Sequence, residues 1–293
     1  MFLEKKYIKK INKNAFSIIE ISVVLLIISV MVAGIATGRS MITKSRLTNA
    51  KSLTQKSVIN EMGNDLIAWY ETSLESSFLP SEAKTDGSLI TVWKDSNKSA
   101  ITKNDAKIGV SPTLVQNVFY NSIPGLRFTG TQYLNFNGSK FAKNSYTVFV
   151  VEQRRTANSE NYFIAGGTHA VNGNLVLGYG NNNIMIQAHY GNDFPTPNIF
   201  AGYSPSSITP RIHTFLFNNS IGKQYTLNGK TTYKNNPSQT NPLVSFTNSR
   251  IGYYIAGYIG DLAEIIMFKR SLKTEEVEAI ESYLGSKYGI PVS

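Results

Sequence analysis

The chain opens its hydrophobic pattern with an unbroken apolar run. From Ile21 to Gly38 there are 18 consecutive uncharged residues, nearly all apolar. As a helix this run reaches about 27 Å at roughly 1.5 Å per residue, enough to cross most of a bilayer core. Beyond Arg39 the apolar positions thin to Leu47, Ala50, Leu53, Val58 and Met62, in rough helical spacing. No Pro interrupts them, and Gly63-Asn64-Asp65 reads as the stop. One long helix, half apolar and half amphipathic, is predicted.

After Leu66 the period changes. Short apolar runs alternate with Gly, Asn, Pro and Ser, predicting strands at 66–70, 90–93, 126–128, 146–152, 175–179, 184–188, 213–217, 224–227, 250–253 and 257–268. Regularly spaced short strands suggest a sandwich or barrel. Asn228-Gly229 is a two-residue hairpin signal, because both residues tolerate positive φ. A last helix is expected with Thr274 as cap, Glu275 and Glu276 in its first turn, and a stripe of Val277, Ile280, Leu284 and Tyr288. Gly289 and Pro291 end it. The predicted class is therefore α+β: a long N-terminal helix, an antiparallel β-sandwich and a short C-terminal helix.

Charge sharpens this picture. The net charge of +10 sits mostly in residues 1–56, which hold ten Lys/Arg and two acids; the remaining 237 residues hold nineteen and seventeen. The excess lies beside the apolar run, where it can meet anionic headgroups. No basic stripe with interleaved aromatics occurs, so nucleic acid is not an expected partner. Lysines lead and basic residues follow the apolar run, so charge alone leaves its orientation close to a tie. The chain has no cysteine, which removes disulfides, thiol catalysis and cysteine-ligated metals. A domain above about 200 residues can be held by its core alone. His169, His189 and His213 are scattered and read as strand or loop residues rather than ligands.

Glu20 stands at the front of the apolar run, and a carboxylate there calls for a partner. Ala15-Phe16-Ser17-Ile18-Ile19-Glu20 with Val23-Val24-Leu25-Leu26 resembles the prepilin signal of type IV pilins and type II secretion pseudopilins. The resemblance implies cleavage by a prepilin peptidase between Ala15 and Phe16, methylation of the new amino terminus, and Glu20 as fifth residue of the mature chain. Ala15 stands where the family usually has Gly. It further implies a leader at 1–15, an assembly helix at 16–62 with its transmembrane part at about 18–38, and a displayed domain at 64–293. Phe16 and Glu20 become the assembly residues, the carboxylate neutralising the amino terminus of a neighbouring subunit. The expected location is a single pass through the inner membrane, then the periplasmic or extracellular side as part of a pilus or pseudopilus. The alternative is an ordinary anchor whose span starts at Ile21, with Glu20 at the headgroup boundary.

The remainder resembles a concanavalin A-like, laminin-G-like jelly-roll module. The carrying residues are Leu66-Ile67-Ala68-Trp69-Tyr70, Val92-Trp93-Lys94-Asp95, Gly125 to Gly130 with Tyr133-Leu134, Gly260 to Phe268, and Tyr283-Leu284 with Lys287-Tyr288-Gly289. Glycosidases of such folds place paired carboxylates on one strand. Here Asp261 and Glu264 come closest, but three apart on a regular strand they point to opposite faces. Glu264 is expected as a half-buried carboxylate bonded to backbone, and Glu152 has no acidic partner at alternating spacing. No enzyme is predicted. A lectin-type site is the binding candidate: Tyr190, Asn192 and Asp193 in one loop, with Asn181 expected nearby. Such folds sometimes hold Ca²⁺ on loop oxygens. No ligand set maps onto this chain, so no metal or other cofactor is assigned. The expected function is a minor or tip pilin-like subunit displaying its sandwich for adhesion or glycan recognition. The alternatives are a pseudopilin whose head binds exported substrate, and a tethered glycan hydrolase.

Overall fold

A computed structural model describes residues 17–83, 85–157, 159–197, 208–234 and 239–292. Ala15 and Phe16 lie outside the described residues. The chain divides into two compact units, one ending at Lys44 and the other beginning at Ser45.

Helix α1 (Ile18–Gln55) carries the apolar run, and its large apolar side chains from Ile18 to Ile35 are exposed around the whole circumference. It is long and apolar enough to cross a membrane. The α-helix ends at Gln55 rather than near Met62. Ser57 Oγ accepts the Ile59 N–H at 3.2 Å and opens a 3₁₀ turn, Val58–Asp65. Asn60 Nδ2 then donates to the carbonyls of Thr54, Gln55 and Ser57, satisfying acceptors a helix end leaves orphaned.

The second unit is an antiparallel β-sandwich. One sheet runs Thr231–Lys234, Gly222–Leu227, Arg211–Asn218, Tyr146–Arg154, Ile259–Phe268, Ile123–Thr129 and Thr113–Phe119. The strand Ile259–Phe268 pairs along Tyr146–Arg154 on one side; its other side is shared end to end by Ile123–Thr129 and Leu66–Glu71. The second sheet runs Phe194–Pro195, Met185–Ala188, Asn174–Tyr179, Asn161–Gly167, Arg250–Ile251, Tyr133–Asn135, Ala106–Val110 and Val92–Trp93. Between the sheets lies a core that includes Tyr70, Trp93, Phe163, Phe215 and Leu262.

Helix α2 (Thr274–Tyr288) covers the outer face of the first sheet. Ile280, Leu284 and Tyr288 pack there with Trp69, Ile266 and Phe268, and Ala50 from the end of α1 joins the same cluster. Both faces of the central strands are thus covered, which is why Tyr146–Arg154 reads as a continuous buried run rather than an alternation. Thr274 is the first helical residue, not the cap. The cap position is Lys273, whose N–H is taken by the Glu276 carboxylate at 2.8 Å. Gly289 closes the helix at φ 65°. Asn228 and Gly229 have φ of 51° and 68°, and the turn holds three residues, not two, between the paired Leu227 and Thr231. Asn228 Oδ1 accepts the Ile212 N–H at 2.8 Å, which ties that turn back to the strand Arg211–Asn218.

Candidate functional site

At the start of α1, Ser17-Ile18-Ile19-Glu20 forms a capping box. Glu20 Oε2 accepts the Ser17 N–H at 2.7 Å, and Ser17 Oγ accepts the Ile19 N–H at 3.3 Å. The carboxylate expected to seek a partner therefore has one inside its own first turn. The sequence signal was Ser-x-x-Glu, and it was not read as a cap.

The loop expected to bind ligand brings three of its four residues together. Asn192 Nδ2 donates to Asn172 Oδ1 at 2.6 Å, and Asp193 Oδ1 accepts the His189 N–H at 3.1 Å. Lys223 Nζ donates to the Asn192 carbonyl, and Gln239 Nε2 to that of Asp193 at 2.8 Å. Tyr190 is exposed with its ring edge-on to His169. The polar groups here are largely spent on one another. Asn181 is not part of this loop. It occupies the turn between Asn174–Tyr179 and Met185–Ala188, whereas Tyr190 follows the far end of that hairpin. Four paired rungs, about 10 Å of strand, separate them.

The carboxylates weighed for catalysis are interior ties. A register shift between Leu262 and Glu264 puts an extra residue in the strand. The bulge turns Glu264 to the same outer face as Asp261, against the opposite-face expectation. Asp261 is held by Arg127 and Arg155, each at 2.7 Å. Glu264 is fully buried and bonded to side chains rather than backbone: Trp69 Nε1 at 2.6 Å, Lys287 Nζ at 2.8 Å, Tyr283 and Tyr288 hydroxyls at 2.9 Å. Lys287 Nζ also reaches Glu71 Oε2 at 3.2 Å. Burial opposes the charge on Glu71, but Lys287 and the hydroxyls of Ser73 and Ser77 outweigh it and hold this carboxyl below its usual range. Glu152 points between the sheets, accepting from Tyr179 at 2.7 Å and Tyr258 at 2.5 Å, with His213 Nε2 at 2.9 Å. Burial lowers the His213 pKa, so its imidazole is a neutral partner in this network. Burial, with Lys223 nearby, lowers His189 to about 3. Among the described residues no three His, Asp or Glu side chains gather as a metal set.

A polar cleft of about 590 Å³ opens beside the second sheet. It is built from residues 103–107, 135–139 and 246–249. Its floor is Phe136 and Phe246, packed edge to face at 6.2 Å. Asn104 exchanges amide bonds with the Asn137 backbone, donating at 2.9 Å and accepting at 2.9 Å, and so joins two walls. On the outer face of the sheet, Lys107 lies opposite Asn135, and Asn135 opposite Arg250. Inward neighbours Ala106, Leu134 and Ile251 are fully buried, which turns this row outward. The Arg250 guanidinium lies 4.6 Å from the Tyr133 ring centroid, and its Nε is buried with no hydrogen-bond partner. The Tyr133 ring covers Gly109, where a Cβ would collide with it, and stands 6.0 Å from Tyr253. Sequence reading missed this cleft because its walls come from three distant segments.

No family model and no curated protein matches the chain. Among solved structures, it is similar to a GH54 α-L-arabinofuranosidase soaked with a cyclic sulfate inhibitor, at 12% identity and TM-score 0.55, covering 78% of this chain and 64% of that one. That likeness shows the fold. Weaker similarities are to Trypanosoma rangeli sialidase (13% identity, TM-score 0.49, 76% of this chain and 33% of that one) and to the binding domain of botulinum neurotoxin DC in complex with rat synaptotagmin II (13%, 0.46, 76% and 52%). The chain spans about a third of the length of the sialidases it matches.

Proposed function

We propose that this chain is a pilin-like subunit that inserts in the membrane and assembles through its N-terminal helix, displaying a non-catalytic β-sandwich for adhesion or glycan recognition. The observation that carries the reading is helix α1 itself. Its apolar residues are exposed on every side, and its one acidic residue, Glu20, lies in the first turn. A helix apolar all round needs a lipid or protein surround. In membrane it has lipid; in a filament it has the same helix of its neighbours. The similarity of the sandwich to a glycosidase fold supports a carbohydrate ligand, and the buried, ion-paired state of Asp261 and Glu264 supports binding over hydrolysis.

The capping box supplies a discriminating test. Gln serves a capping box as Glu does, because only an acceptor oxygen is needed. Neutralising a neighbour's amino terminus needs the negative charge. Glu20→Gln is therefore expected to insert normally and, like Glu20→Ala, to fail to enter filaments. Normal incorporation of Glu20→Gln, measured by shear release and immunoblotting, would reduce Glu20 to a cap and defeat the assembly role.

A further inference from the structure

We propose that the outer face of the second sheet, where the row Lys107–Asn135–Arg250 meets the cleft, binds an anionic glycan, a sugar chain bearing carboxylate or sulfate groups. Lys107 and Asn135 line the cleft, and Arg250 follows Ser249 of its wall. The one carboxylate in the lining, Asp105, is occupied by the Asp95 N–H at 2.9 Å. The inference rests on the reading of the sandwich as a glycan-recognition head and names the chemical class of its ligand.

Donors without acceptors point to it. Lys107 and Arg250 form no ion pair among the described residues, and neither these two side chains nor that of Asn135 has a hydrogen-bond partner there. Arg250 is set apart by this, because the other arginines of the sandwich are engaged: Arg127 and Arg155 on Asp261, Arg154 on Asn183, Arg211 on Glu152, Arg270 on Asp65 and Glu276, and Arg46 on the Tyr120 carbonyl. The three residues are opposite one another on adjacent strands, so the row crosses two strand spacings, about 10 Å. That matches the reach of a disaccharide with an acidic group at each end. Asn135 sits between the cations with an amide for a ring hydroxyl. Tyr253, 6.0 Å from the Tyr133 ring, adds an aromatic ring for the apolar side of a sugar.

The arrangement is also held in place. Arg250 stacks on Tyr133, and that ring is seated over Gly109, so one of the two cations is positioned before any ligand arrives. Guanidinium suits this role, since its planar fork matches carboxylate and sulfate oxygens. The loop at residues 189–194 offers the opposite case, because Asn192 and Asp193 satisfy each other's neighbourhood internally. A nucleic-acid strand would need a longer cationic track than this row provides.

The test uses the full chain in detergent and three immobilised polymers: polygalacturonate for carboxylate, dextran sulfate for sulfate, and unmodified dextran. Retention by at least one acidic polymer, falling with added salt, is expected, with none on dextran. Lys107→Gln and Arg250→Gln are each expected to weaken binding by about tenfold or more, the scale of one lost charge-assisted hydrogen bond. Gly109→Val, which displaces Tyr133, weakens it through Arg250, while Lys234→Gln, on the edge of the other sheet, leaves it unchanged. Melting curves matching the parent chain exclude misfolding for each variant. The carboxylate and sulfate arms identify the acid. The proposal is overturned by binding to neither acidic polymer, by equal binding to dextran, by indifference to Lys107→Gln and Arg250→Gln, or by tighter binding to single-stranded DNA. Dextran binding lost in Asn135→Ala would keep the glycan-recognition reading and sink the anionic class. Filament entry of Glu20→Gln bears on assembly alone.

Discussion

Two buried carboxyls have pKa values shifted in opposite directions, Glu71 at the end of strand Leu66–Glu71 and Glu281 on α2. Glu71 is held ionised, so the native state favours its charged form. Its contribution is present above the ordinary glutamate value of about 4.3 and is lost as pH falls through the lower native value. Glu281 behaves oppositely. Burial raises its pKa, the Thr214 hydroxyl at 2.6 Å only partly offsets this, and Glu278 adds repulsion. The protonated form is the one folding favours, so this residue supports the fold below the unfolded value and loses that support as pH rises through the native one. Glu281→Gln keeps an acceptor for Thr214 and removes the charge. Its melting temperature relative to the parent chain is expected to rise between pH 4 and 7, and a difference independent of pH would refute this account. His189 works with Glu71: held neutral in the fold, it binds a proton only when unfolded, and acid destabilises through it.

At the scale of elements, the decisive contact is between α2 and the sheet beneath it. Lys287 donates to Glu71, Glu264 and the Tyr283 hydroxyl, while Trp69 and Tyr288 donate to Glu264. Every charge in the cluster has a partner, the condition under which buried ions are tolerated. Lys287→Met would leave two buried carboxylates facing each other. Removing one partner of such a pair costs about 3–5 kcal/mol, which chemical denaturation followed by tryptophan fluorescence would detect. A loss below about 1 kcal/mol would mean that water enters the cluster. The end of α1 enters the same network, with Thr54 Oγ1 at 3.3 Å from both Ser73 Oγ and Tyr283 OH.

For the whole molecule, the concentration of positive charge in residues 1–56 and the exposed apolar face of α1 set its environment. The sandwich supplies its own core without a disulfide. Processing is checked on the intact protein: mass spectrometry of membrane-derived chain is expected to find Phe16 as first residue, carrying a methylated amine. A chain still beginning at Met1 would argue for the plain anchor.

Periodicity alone reached the long helix, the central strands of the first sheet and α2, because covered elements must be apolar on the faces they bury; the buried strand Asn161–Gly167 of the second sheet was missed. Strand 259–268 was legible for that reason, its two faces meeting the core and α2. The strand Ala106–Val110, next to the short edge strand Val92–Trp93, was not: four of its five residues are exposed, so no buried face imposed a pattern. The bulge beside Glu264 was likewise invisible, since one extra residue leaves the composition of a strand unchanged while turning a side chain over. The capping of Glu20 lay in a four-residue spacing and was readable. The row Lys107–Asn135–Arg250 was not, because its members are brought together by strand register, and register is set by which faces the whole sandwich buries. Sequence determined which segments fold and which one seeks an apolar surround; only the tertiary structure decided which polar groups are satisfied and which are left for a ligand.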